Sequence, residues 1–308
     1  MPPPDVVPIP FTARAHAVAS TVAGIVRPRR PRAAELAAIT WAPLPRARAT
    51  VSVRALAHTT RQVPALLIEG RLRGRLPMGY ASYLVEHPSA RLLVDPGIAS
   101  DVDPVIAAVP TPLRQLIRPP EAPLATVAAL SQAGIQPDAV NLALPTHLHW
   151  DHVSGLLDLP NLPVLTHRAE WEWAMSSGPA PSGGIRPALR SRPVATVELD
   201  GPPVLTFPRS HDVLGDGSIV LVDLAGHTPG SVGVLLHTED GWVLLIGDTA
   251  WLGEQFTDGR QKLGVPGEWV DADREATWTA LLRVRAARHR VRVVPAHDPA
   301  CLGHADDD

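Results

Sequence analysis

The sequence predicts a layered α/β fold, and three observations carry that expectation. Short β-branched or leucine-rich runs bounded by turn residues recur along the chain, and stretches with helical apolar spacing fall between them. The 308 residues, 45% of them hydrophobic, also supply ample material for a core. Composition divides the chain near residue 46: residues 1–46 form a Pro/Ala/Arg-rich N-terminal extension, and residues 47–308 form one globular domain.

Taken in order, the extension lacks sustained periodicity and reads as loosely packed, with one helical turn region. Its apolar stretch 15–26 is too short and too broken to span a bilayer, and an Arg-Pro-Arg-Arg-Pro-Arg run follows it. A secretion signal carries its positive charge first, so an amphipathic surface helix is expected here. Strands are expected at 64–69, 82–86, 91–95, 138–144, 163–165 and 194–199, and again at 204–207, 219–224, 232–236, 242–246 and 291–294. Helices are expected at 123–133, at 168–175 behind a Thr166 cap, and at 272–288 behind Asp271. In the last of these, Ala276, Trp278, Leu281, Leu282 and Val284 approximate one apolar face. The stretch 176–193, dense in Gly, Ser and Pro, is either a lid beside a site or a plain surface loop.

A formal net charge of -3 and a pI near 6.5 provide no overall field to gather nucleic acid or an anionic membrane, although arginines cluster at 27–32. The expected partner is a small-molecule substrate, with no nucleic acid and no transmembrane segment; a homodimer stays open. Cys301 is the only cysteine, so no intramolecular disulfide forms and no cysteine zinc site is available, which points to the cytoplasm. The preference for arginine, with Lys262 the only lysine, reads as coding bias.

Chemistry concentrates in one run, Thr146-His-Leu-His-Trp-Asp-His152. It follows an apolar strand-like stretch that Pro145 ends, so the histidines sit in a loop at a strand's end. In a near-extended backbone His147 and His149 point to the same side and can reach one ion, while the chain turns and sends Asp151 and His152 elsewhere. Three later segments, around His227, Asp248 and His297, each set one potential ligand directly after a strand-like run, over one edge of the scaffold. Pro229-Gly230 fits a type II turn, with glycine at positive φ, that would hold His227 firmly.

The ordered set His147, His149, Asp151, His152, His227, Asp248 and His297 resembles that of the metallo-β-lactamase-fold hydrolases over roughly residues 60–300. The resemblance implies a four-layer αββα sandwich of two mixed β-sheets flanked by helices, with a dinuclear metal site at the sheet edges. It implies that His147, His149 and His227 bind one ion, that Asp151, His152 and His297 bind the other, and that Asp248 bridges both; Asp151 and Asp248 carry the catalytic assignment. Asp95 matches an early Asp-x-Gly feature and is expected to hold a loop rather than an ion. Five histidines with two aspartates favour Zn2+, with Mn2+, Fe2+ or Co2+ open. Two such ions can share a hydroxide at neutral pH, so no side-chain base is needed for attack on a carbonyl.

Within that superfamily Tyr83-Leu-Val-Glu-His87 leading to Leu-Val-Asp-Pro-Gly97, His167-Arg-Ala-Glu-Trp171, Gly215-Asp-Gly-Ser218 and Pro295-Ala-His-Asp-Pro299 make the chain look most like the lactonase branch, which includes the N-acyl-homoserine lactonases. The expected activity is hydrolysis of a lactone or ester, with a glyoxalase-II-like thioesterase or a β-lactamase-like amide hydrolase as the alternatives. One departure stands out: those lactonases carry tyrosine three residues after the bridging aspartate, and this chain has Trp251, whose indole has no ionisable hydroxyl. Trp150, Trp251, Leu252 and Phe256 are expected to wall an apolar substrate pocket. Trp251 is expected to govern substrate preference more than metal content.

Overall fold

A computed structural model of the chain describes residues 9–301, apart from 57–58, 72, 81, 120–122 and 177–184. Thirteen strands are assigned among the described residues. The first eight are β1 (Ser52–Ala55), β2 (Thr60–Pro64), β3 (Arg75–Gly79), β4 (Tyr83–His87), β5 (Ala90–Val94), β6 (Leu142–Leu144), β7 (Val164–His167) and β8 (Val194–Val197). The rest are β9 (Ser210–Asp212), β10 (Ile219–Asp223), β11 (Val232–Thr238), β12 (Gly241–Leu245) and β13 (Arg292–Val294). One sheet runs β1-β4-β5-β6-β7-β8 and the other β13-β12-β11-β10-β9, while β2 and β3 pair alone. Both large sheets are mixed: β5, β6, β7 and β8 are parallel and β12 is parallel to β13, whereas the remaining pairs are antiparallel.

Side-chain alternation along the strands builds the layers. Tyr83, Val85, Leu92 and Val94 of one sheet meet Ile219, Leu221, Val234 and Leu245 of the other in a dry core between them. Their neighbours Leu84 and Leu93 face outward and pack with Ala129 and Leu130 of the helix Thr126–Gln132. On the opposite side Val220 and Val222 lie under Trp278, Leu281 and Val284 of the helix Arg274–Ala287. The result is the α/β sandwich of two mixed sheets, with helices outside, that the sequence leads one to expect.

Several local expectations change. Residues 64–69 do not form a strand: β2 ends at Pro64, and Ala65–Glu69 is a helical turn closed by Gly70 at φ 74°. The run Ala-Leu-Leu-Ile-Glu is continuously apolar up to its last residue, so period cannot distinguish helix from strand, and its residues are good helix formers. Residues 204–207 form a tight turn, with reciprocal backbone bonds between Val204 and Phe207; its apolar character comes from burial under the last helix. That helix starts two residues late, capped by Asp273, whose carboxylate accepts from the backbone N–H groups of Glu275 and Ala276. Arg168–Met175 is helical, but His167, not Thr166, precedes it and no side chain caps it. The suggested lid falls largely on 177–184, outside the described residues, and Arg186–Arg190 beyond it is helical.

The extension is more structured than its composition implies. Phe11–Val26 is one 16-residue helix packed against the helix Gly264–Val270, where Ala17 is buried and Thr21 Oγ1 accepts from the backbone N–H of Val265 at 2.6 Å. Gly264 permits this approach, because a Cβ there would lie 2.4 Å from the Ala17 carbonyl oxygen. Arg29 then pairs with Glu275 at 2.6 Å and covers the Trp278 ring. No described helix is long and apolar enough to cross a membrane.

Candidate metal centre

All of the clustered ligands leave the same edge of the sandwich. His147, His149, Asp151 and His152 follow β6, His227 follows β10, Asp248 follows β12 and His297 follows β13. β10 and β12 are both antiparallel to β11, and β13 is parallel to β12, so these strands end together and their loops converge. Six of the seven side chains are buried, and Asp151 is half-buried.

Potential ligand atoms gather in two groups, one of His147, His149, His227 and Asp248 and the other of Asp151, His152 and His297. In the first, His149 Nδ1 lies 3.1 Å from His147 Nε2 and 2.9 Å from His227 Nε2, and Asp248 Oδ2 lies 3.3 Å from His227 Nε2. Tetrahedral ligands at zinc–nitrogen bond lengths stand about 3.3 Å apart, so this spacing suits a single ion. The other oxygen of Asp248, Oδ1, lies 3.2 Å from His152 Nε2 and 3.0 Å from His297 Nε2. Asp151 Oδ2 completes the second group at 3.7 Å from His297 Nε2. Asp248 thus turns one oxygen to each group.

Electrostatics supports the same fit. Burial first, and then neighbouring imidazoles, hold His147 and His149 well below the ordinary histidine range, the neutral form that a cation needs. Around His152 burial opposes charge, but Asp95, Asp248 and Asp151 together outweigh it and push the ring well above its usual value. His297 is raised in the same way, chiefly by Asp248 against burial. A buried pocket of carboxylates therefore demands positive charge. His152 Nε2 and Asp248 Oδ1 are buried without a hydrogen-bond partner, which is costly unless a cation satisfies them.

The rings are aimed from behind. His152 Nδ1 lies 2.9 Å from Asp95, whose carboxylate also accepts from the Thr146 backbone N–H at 2.6 Å. His297 Nδ1 donates to the Gly79 carbonyl at 2.6 Å. His227 Nδ1 lies 2.8 Å from Asp271, a fully buried carboxylate paired with Lys262 at 2.8 Å. Burial works against that carboxylate, yet Lys262 and His227 hold it below the usual range. Lys262 Nζ also donates to the Asp248 backbone carbonyl and lies 5.3 Å over the Trp251 ring. Glu170 ties the two histidine loops together, accepting from Leu148 N at 2.7 Å, Thr228 Oγ1 at 2.6 Å and Gly230 N at 3.1 Å.

Lys262, Asp271 and Glu170 were not expected as parts of the centre. The available signals are the only lysine in the chain, which reads as coding bias, and the lactonase-like segment His167-Arg-Ala-Glu-Trp171, which contains Glu170; Asp271 reads as a helix cap. Gly230 also differs from expectation. It is not among the glycines at positive φ, and its role is close approach, since a Cβ would meet the Glu170 backbone nitrogen at 2.1 Å.

Above the two ligand groups opens a cavity. Val63, Leu67, Ile68, Met78, Leu113 and Ile117 wall it, and His149, Asp151, Asp248 and His297 are at its floor. Trp150 and Trp251 line it, but Leu252 and Phe256, grouped with them from the sequence, do not. Phe256 is packed under the Arg274–Ala287 helix, and Leu252 is buried behind Trp251, because the turn after Asp248 sends successive side chains into different layers. Tyr80, unanticipated, lines the cavity with its hydroxyl donating to the Ile117 carbonyl at 2.8 Å.

Comparison with known proteins gives a consistent result. Residues 76–297 match the family model of the Metallo-beta-lactamase superfamily. The N-acyl homoserine lactonase AttM of Azorhizobium caulinodans is 27% identical over 228 residues, covering 70% of this chain and 81% of the relative. The AttM of Agrobacterium fabrum is 25% identical over 231 residues, with the same coverage, 70% and 81%. Among solved structures, a quorum-quenching N-acyl homoserine lactone lactonase superposes with a TM-score of 0.61 at 21% identity, covering 82% of this chain and 94% of that one. AidC, a dizinc quorum-quenching lactonase, superposes with a TM-score of 0.57 at 13% identity, covering 84% and 90%.

Proposed function

The chain belongs to the metallo-β-lactamase superfamily and is a metal-dependent hydrolase, and from that premise we propose that it hydrolyses lactones or esters with an apolar arm at two divalent ions, zinc by donor chemistry. The observation that carries this reading is the sharing of Asp248, one oxygen toward each ligand group, directly beneath an apolar cavity. His147, His149 and His227 with Asp248 Oδ2 would hold one ion, and Asp151, His152 and His297 with Asp248 Oδ1 the other. Bound there, such ions polarise a carbonyl and bring the pKa of a water near 7.

The chain's own groups do the rest. Asp95, Gly79 and Asp271 fix His152, His297 and His227 so that their Nε2 atoms face the centre. The apolar walls take the acyl arm and exclude water. Two donors on the described lining are already committed: the Tyr80 hydroxyl to Ile117 and the Trp251 indole N–H to Asp248. In this reading Asp151, half-buried and on the cavity floor, takes up the proton that the attacking water gives up and passes it to the leaving oxygen as the carbonyl–oxygen bond breaks. N-acyl homoserine lactones come first among substrates to try, because relatives over most of the domain carry that activity in their names.

Elemental analysis of the purified protein, coupled to a panel of acyl lactones, aryl esters, thioesters and β-lactams, tests the proposal. Two ions per chain and the highest rates with long-chain lactones or esters are expected. Full turnover after exhaustive chelation, or a preference for thioesters, overturns it.

A further inference from the structure

The outward face of the Phe11–Val26 helix is left uncovered by the other described residues, and Arg14 is its one exposed permanent charge. Phe11, Val18, Val22 and Val26 follow one stripe along it and are 84%, 55%, 55% and 70% exposed. Exposed Ala15, Ala19 and Ala23 flank the stripe. A helix apolar on both sides is ordinarily buried on both. Where the stripe ends the charge changes abruptly: a groove is lined by Arg27, Arg30, Arg71 and Arg260, the last also paired with Asp258 at 3.3 Å. Its two carboxylates are already engaged, Glu275 by Arg29 at 2.6 Å and Glu268 by Ser20 at 2.9 Å and Arg274 at 3.5 Å. Arg27 and Arg30 are exposed and carry no ion pair among the described residues.

We propose that this face docks the protein on an anionic lipid surface, with the Phe/Val stripe entering the interface and the arginine groove receiving lipid phosphates. Charge complementarity selects this occupant: exposed guanidiniums beside an apolar helical stripe match anionic headgroups above acyl chains. A second copy fits less well. A stripe about 24 Å long and about 10 Å wide falls short of the roughly 800 Å² per partner of a stable protein interface. The docked helix lies on Gly264–Val270, which carries Pro266 and Val270 into the wall of the catalytic cavity, so the surface and the cavity share one element. The docking itself does not depend on which carbonyl substrate the centre accepts.

Sedimentation of the full-length protein with phosphatidylcholine vesicles, with and without phosphatidylglycerol, tests this. Binding to the anionic vesicles is expected, weakened by salt, and on the order of tenfold lower in Arg27→Glu/Arg30→Glu and in Val18→Glu/Val22→Glu. Both double variants alter exposed positions, so unchanged melting and unchanged hydrolysis of a soluble ester without vesicles should verify that they fold. Equal binding to neutral and anionic vesicles, or none to either, overturns the proposal. So does a concentration-dependent dimer that Val18→Glu/Val22→Glu dissociates, which would make a second copy the occupant.

Discussion

The indole N–H of Trp251 donates to Oδ2 of Asp248 at 2.7 Å. This one contact joins the pocket wall to the carboxylate shared by both ligand groups. The ring is itself fixed: the Trp251 backbone N–H donates to Gln255 at 2.6 Å, and Lys262 lies over its face. The expectation that Trp251 would act on substrate preference more than on metal content is therefore incomplete. Replacement of Trp251 by phenylalanine keeps the apolar wall but leaves Asp248 Oδ2 without its donor. Metal affinity should fall on the order of tenfold, together with turnover. A competitive chelator titration measures the first; affinity equal to wild type would show that the indole does not position Asp248.

Lys262 and Asp271 form a buried pair behind His227, with side chains 1% and 0% exposed. Lys262→Met removes the cation and leaves Asp271 relying on Arg274 at 3.0 Å. The expected cost is about 3 kcal/mol of stability, the usual penalty for stranding one partner of a buried ion pair. Denaturant unfolding measures it. Lys262→Met/Asp271→Leu should recover part of the stability but not the metal affinity, since His227 would still lack its carboxylate.

Glu170 gives a pH signature in the metal-stripped protein. Burial pushes its carboxyl up to about 7 from an ordinary 4.5, despite the three donors that favour the charged form. Between those values the folded chain keeps a proton that the unfolded chain has lost, so this contribution is present below 4.5 and disappears as pH rises to 7. Unfolding free energy of wild type minus that of Glu170→Gln should therefore decline by roughly 2–3 kcal/mol from about pH 4.5 to 7. A flat difference across that range would count against the raised value.

His149 offers Nδ1 to two other imidazoles at once. His149→Ala deletes the centre of the first ligand group, so the protein should lose close to one ion per chain and all measurable turnover. Its fold should survive, because the loop remains tethered through Leu148 to Glu170. Retained turnover would remove His149 from the ligand set.

What the sequence determined by itself is periodic or dense. Near-continuous apolar runs in β4, β5, β10 and β11 specify strands buried on both faces, because pleating sends successive side chains to opposite faces. The His147–His152 run was legible because so many ligand-type side chains crowd one loop. Tertiary structure alone decided the rest. Residues 65–69 became helix rather than strand, Phe256 went to the core while Trp251 stayed at the cavity, and the apolar N-terminal stretch became a full helix on Gly264–Val270. Lys262, Asp271 and Glu170 lie 22 to 60 residues from the loops they hold, apart from the local contacts of Lys262 with Asp271 and Asp248 and of Asp271 with Arg274. Local sequence records which side chains can bond or pack, but only the converging strand ends bring distant donors within 3 Å of one another, and that convergence belongs to the packed sandwich as a whole.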